Sequence, residues 1–100
     1  MDTLPLIIED ALFRYTQVTR EGTLAIYTQE HKPSGVCRYE LIRIRVQRAW
    51  TPPGGTLIPA HEVYPSASRW GREGWTFYHE DAARAAMVDL QRQQRQAVAP

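Results

Sequence analysis

Apolar and polar positions alternate with a period of two over most of the first half of the chain. Between Ala11 and Thr19, the residues Phe13, Tyr15, Gln17 and Thr19 alternate with Leu12, Arg14, Thr16 and Val18, and their aromatic and β-branched content favours a strand. Arg20-Glu21-Gly22 supplies a short turn. Thr23 to Gln29 then alternates again, with Leu24 and Ile26 set against Ala25 and Tyr27, so the two stretches predict a hairpin. After a second turn at Lys32-Pro33-Ser34-Gly35, a third strand is predicted over Val36 to Gln47. Its alternation puts Ile42, Ile44 and Val46 on one face and Leu41, Arg43, Arg45 and Gln47 on the other. The first face belongs to a core; the second carries an arginine stripe.

From Trp50 to Arg69 the pattern is broken by Pro52-Pro53-Gly54-Gly55, Pro59 and Pro65, which predicts a long loop with room for brief strands at Thr56–Ile58 or His61–Tyr64. Trp75 to Tyr78 reads as a fourth strand, with Trp75 and Phe77 on one face. Glu80-Asp81 precedes an Ala-rich segment in which Ala83, Ala86, Met87 and Leu90 recur at helical spacing, and acidic residues suit the positive end of a helix dipole. Gln91 to Gln96 has almost no apolar side and predicts a solvated helical extension that frays before Pro100. The expected fold is α+β: an antiparallel β-meander of about four strands with one C-terminal α-helix packed on one face. A two-layer arrangement leaves the other sheet face, with Arg43 and Arg45, open to water or to a partner.

One hundred residues suit one domain over 1–100, with residues 1–10 as an apolar N-terminal arm and 91–100 as the extension. The net charge of +1 gives no bulk argument for nucleic acid or membrane. Eleven Arg against the single Lys32 favour planar, stacking cations wherever charge is used. The lone Cys37 rules out an internal disulfide and fits a reducing compartment, the cytoplasm being the expected location. Leu4-Pro5-Leu6-Ile7-Ile8 is too short and too closely flanked by acids for a signal peptide or a membrane span; it suits a docking tail, a short strand or pairing with a second subunit.

Aromatic bulk, glycine and arginine concentrate in Arg69-Trp70-Gly71-Arg72-Glu73-Gly74-Trp75-Thr76-Phe77-Tyr78. Trp70-Gly71-Arg72 resembles the signature of WGR domains, which implies nucleic-acid contact through Trp70 and Arg72, although here a Pro-broken loop precedes the motif. A broader pattern, Tyr64-Pro65-Ser66 followed by Trp70-Gly71, Gly74-Trp75-Thr76 and an Ala-bearing helix, is similar to small bacterial, phage and plasmid proteins without an assigned activity. That likeness implies an accessory protein of a mobile element.

Candidate contact residues are Arg43, Arg45, Arg69, Trp70 and Arg72, which offer a stacking ring and fixed charge to an acidic protein, a base or a phosphate. His61, Glu62 and Tyr64 are candidate linings of a pocket between the long loop and the sheet. His31, His61, His79 and Cys37 lack the spacing of a metal set, no nucleophile has an evident base, and no cofactor is implied. The leading expectation is a non-catalytic binding protein that meets a protein partner or a second copy through its open sheet face and Pro-rich loop. Nucleic-acid binding and small-molecule binding are the alternatives.

Overall fold

The predicted hairpin is the middle of a larger antiparallel sheet. The computed structural model describes residues 1–98, the side chain of Val98 excepted. Strands β1 (Ile7–Glu9), β2 (Phe13–Glu21), β3 (Leu24–His31) and β4 (Cys37–Arg43) lie side by side in chain order. The chain then forms a separate two-stranded ribbon from β5 (Arg45–Gln47) and β6 (His61–Val63), passes a 3-10 turn at Ala67–Arg69, and returns as β7 (Gly74–Phe77) at the free edge of β4. Helix α1 (Glu80–Val98) completes the α+β fold. Part of the N-terminal arm is thus a fifth sheet strand, Ile7 to Glu9 pairing with Thr16 to Arg14. No helix among the described residues is long and apolar enough to cross a membrane.

The sheet is covered on both faces. Leu24, Ile26 and Leu41 pack against Ala83 and Met87 of α1, joined by Trp75, Phe77, Ala86 and Leu90, so the helical stripe and the Trp75–Phe77 seat stand as the pattern predicts. On the reverse face, Ala25, Tyr27, Ile42 and Ile44 pack with Leu4 beneath Tyr64 and Trp70. All four residues from Leu24 to Tyr27 have 0% exposure, which needs a layer on each side of β3. The expected open face is therefore absent: the N-terminal arm and the segment around Tyr64 to Trp70 cover it.

The third predicted strand is also divided. Strand β4 ends at Arg43, the Ile44 amide still donating in register to the Thr23 carbonyl of the hairpin turn at 2.7 Å, and β5 pairs with β6 instead. Arg43 and Arg45 consequently sit in different sheets and form no common stripe. Arg43 is half-buried on the helix side, 5.9 Å from the Trp75 ring centroid, and its Nη1 donates to the Arg72 carbonyl at 3.2 Å. Arg45 has a buried Nε with no partner among the described residues. Val46, expected in the core beside Ile44, is half exposed on the ribbon.

Strand β2 carries a bulge that the simple alternation does not anticipate. Gln17 pairs with Tyr27 but Thr19 pairs with Ile26, leaving Val18 as the additional residue. Phe13, Tyr15 and Gln17 thus share the reverse face with Tyr27, whereas beyond the bulge that face belongs to Arg20, opposite Ala25. Thr19, expected beside Tyr15 and Gln17, is turned to the helix side. The predicted extension beyond Leu90 is helical to Val98 and is tied to the hairpin by a hydrogen bond from the Gln91 amide to the Glu21 carboxylate. Residues 99 and 100, where it was expected to fray, lie outside the described residues.

Candidate functional site

The reverse face of the sheet bears a pocket of about 590 Å³ lined by Ile8, Tyr15, Gln29, Glu40, Tyr64, Pro65, Ala67 and Trp70. Register explains the floor. Ile8 is opposite Tyr15, Tyr15 opposite Gln29, and Glu40 opposite Tyr27 on β3 and Thr76 on β7, so strands β1 to β4 each supply side chains to one concave surface. Tyr64 to Trp70 form the opposing wall.

That wall is held by a junction at Glu62. Its two carboxylate oxygens accept from Nη1 and Nη2 of Arg20, each at 2.6 Å, and Oε1 also accepts from the Leu4 amide at 2.9 Å. One side chain thereby ties the ribbon to β2 and to the N-terminal arm, while the Glu62 amide donates to the Asp2 carbonyl. The Arg20 guanidinium holds the Glu62 carboxyl well below its ordinary 4.5, at about 2. Tyr64, two residues on, is delivered over the sheet with its ring centroid 5.4 Å from Tyr27 and 5.7 Å from Tyr15.

Trp70 enters from the other end. Its indole Nε1 donates to Thr76 Oγ1 at 2.9 Å, and its ring lies across Gly74, where an added Cβ would stand 2.5 Å from the nearest ring carbon. Gly74 is needed for this close approach, and Gly71, with φ of +90°, makes the reversal between them. The Trp70-Gly71-Arg72-Glu73-Gly74 stretch is thus a bracket that seats one indole at the pocket wall.

The polar centre of the pocket is Glu40, only 6% exposed. Tyr64 Oη donates to Glu40 Oε1 at 2.6 Å, the single side-chain hydrogen bond to this carboxyl among the described residues, and no Lys, Arg or His lies within ion-pair distance. Burial raises the Glu40 pKa, the Tyr64 hydrogen bond partly opposing it; Tyr64 is itself pushed upward by burial and by the adjacent carboxylate. Tyr15 Oη accepts from Gln29 Nε2 at 3.2 Å. The nearest cation on the same face of β4, Arg38, is exposed and stacks over Tyr78 at 5.0 Å, outside the lining.

Of the residues proposed from sequence as pocket lining, Tyr64 lines it; Glu62 supports it from behind, and His61 lies on the ribbon with Nδ1 3.0 Å from the Pro59 carbonyl oxygen. Among the proposed contact residues, Trp70 lines the pocket, Arg72 is exposed, Arg69 is half-buried in the 3-10 turn, and Arg43 and Arg45 are placed elsewhere as described above. Tyr15, Gln29 and Glu40 were not anticipated. A signal for Glu40 was present: an alternation that sends Ile42 and Ile44 inward sends Glu40 inward with them, placing a carboxylate on an apolar face. Compared with protein-family models, curated proteins and solved structures, the chain finds no match.

Proposed function

We propose that the protein is a non-catalytic binding domain whose site is the pocket between the sheet and the Tyr64–Trp70 wall. The observation that supports this reading is a buried, singly hydrogen-bonded carboxylate opening onto an aromatic-lined cavity of about 590 Å³. Ligand sites are concave and largely apolar, with a few fixed polar groups, and this volume falls within their usual range of roughly 300 to 1,000 Å³. A buried carboxylate without a cation lowers stability, so its place on this cavity fits a ligand better than a fold requirement. Titration of the labelled protein with a panel of small polar and aromatic compounds, followed by amide NMR, tests the reading. Shifts confined to Tyr15, Gln29, Glu40, Tyr64 and Trp70, and lost in Ala67→Trp, are expected. A panel that moves no pocket resonance overturns it.

A second reading rests on the ribbon. Val46, Trp50 and Leu57 are 50%, 49% and 64% exposed, and Trp50 and Ile58 exchange backbone hydrogen bonds at 3.0 and 2.8 Å, which stiffens this apolar arm. Such a surface supports docking to a protein or to a second copy. Light scattering across a concentration series checks the self-association form, with a strictly monomeric species counting against it.

A further inference from the structure

The walls and the carboxylate together define a charge preference. Three aromatic rings, Tyr15, Tyr64 and Trp70, line the pocket, and its polar members are Glu40 and Gln29, so the cavity offers an anionic group and π-faces but no positive side chain. The Tyr64 hydroxyl hydrogen is already committed to Glu40, so of the two phenols only Tyr15, whose oxygen accepts from Gln29, keeps a hydroxyl hydrogen to offer an anionic or carbonyl-rich ligand. An anion placed here would face Glu40 unshielded, because Arg38 is outside the lining and stacked on Tyr78. A cation supplies the counter-charge that the described residues do not.

We infer that the pocket takes an organic ammonium ion, with Glu40 as counter-charge and Tyr15, Tyr64 and Trp70 as an aromatic cage. The inference rests on the pocket being the binding site and adds the class of ligand. Aromatic rings attract quaternary and alkylated ammonium groups through their quadrupoles, and such groups lose less hydration on entry than a primary ammonium does. Methyl groups on nitrogen also suit the apolar surface offered by Ile8 on the floor and Ala67 on the wall. The geometry selects ammonium chemistry whether the group is borne by a free metabolite or by a methylated lysine side chain.

The test compares choline with its uncharged tert-butyl isostere, in which carbon replaces the quaternary nitrogen, and with a short peptide carrying trimethyl-lysine. Binding to the full chain is followed by the Trp70 indole and pocket amide resonances. Choline or the peptide is expected to bind at least about tenfold more tightly than the isostere, and Glu40→Gln, which keeps the shape and the Tyr64 contact, is expected to remove most of that ratio. Whichever cationic probe binds better identifies the source. Equal binding of choline and isostere, or a ratio unchanged in Glu40→Gln, overturns the cation inference while leaving the pocket as the binding site. Silence of all three probes also overturns it, and the broader compound panel then decides the fate of the pocket itself.

Discussion

Gly74→Ala puts the bracket around Trp70 to a quantitative test. The added methyl carbon would lie 2.5, 2.7 and 2.8 Å from three carbons of the indole ring, where ordinary carbon contacts begin near ~3.5 Å. The φ of Gly74 is not in the left-handed region, so the backbone itself accepts alanine and the whole penalty comes from the ring. Overpacking of this kind costs about 1–3 kcal/mol. Displacing the indole also puts at risk its hydrogen bond to Thr76, which contributes roughly 0.5–1.5 kcal/mol. Against this, replacing glycine restricts the unfolded chain and returns about 0.4–1 kcal/mol. The net expectation is a loss of about 1–3 kcal/mol, or a melting temperature lower by roughly 5–20 °C for a domain of this size. The decisive assay is a double-mutant cycle by chemical denaturation. In a Trp70→Ala background the clash is gone, so Gly74→Ala is expected to be neutral or slightly stabilising, giving a coupling of about 1–3 kcal/mol. An equal cost of Gly74→Ala in both backgrounds would refute the claim that the indole is what requires glycine.

The two buried or half-buried carboxylates should give stability opposite pH dependences. Glu62 has a folded pKa of about 2, below its ordinary 4.5, so its contribution is complete above about 4.5 and lost as the pH falls toward 2. The shift corresponds to an upper figure of roughly 3 kcal/mol, reduced to about 1–2 because the Arg20 and Glu62 side chains keep 26% and 11% exposure. Glu62→Gln should therefore cost that much at neutral pH by urea denaturation, with the difference vanishing in acid. Glu40 is raised, so its ionised form opposes folding; Glu40→Gln should be as stable as the parent at neutral pH or better by about 1 kcal/mol, the gap closing as the pH falls through the folded pKa toward 4.5. Tyr64→Phe removes the hydrogen bond that offsets burial, and carboxyl NMR titration should find the Glu40 pKa higher still. Met87→Ala, at a position 5% exposed between α1 and the sheet, should cost about 2–5 kcal/mol in thermal or urea unfolding.

The elements that rest on one buried face were legible in the sequence. The β2–β3 hairpin, the Trp75–Phe77 strand and the Ala83–Ala86–Met87–Leu90 stripe each follow from local periodicity, and all three are in place. The second layer was not legible because it is assembled from irregular pieces: Leu4 in the arm, Tyr64 after a three-residue strand, and Trp70 over a glycine. None of these has a period, and although Trp70 is seated by nearby Gly74 and Thr76, the sheet residues they all cover are far away in sequence, as are the two members of the Arg20–Glu62 pair. The exit of the chain at Ile44 was hidden for a different reason. The alternation of Ile42, Ile44 and Val46 continues through the break, while β4 ends where its partner β3 begins at Leu24 and β5 is taken up by β6. The site was half visible: Tyr64 and Trp70 stand out as aromatics, whereas Glu40 is a lone acid between Arg38 and Arg43 whose inward direction shows only from its sharing a face with Ile42.

The unpaired Val18 works as a change of phase within one strand. Before it, β2 contributes Tyr15 to the pocket cup; after it, the same strand contributes Arg20 to the clamp behind the cup wall. Deleting this one residue would exchange the two faces of everything on one side of the cut, carrying Arg20 or Tyr15 away from its layer. Deleting a pair of neighbouring residues elsewhere in β2 would shorten the strand but keep its parity. The hairpin is therefore more sensitive to whether a length change is odd or even than to how large it is, and a single codon at Val18 keeps the cup and its clamp on the same side of the sheet.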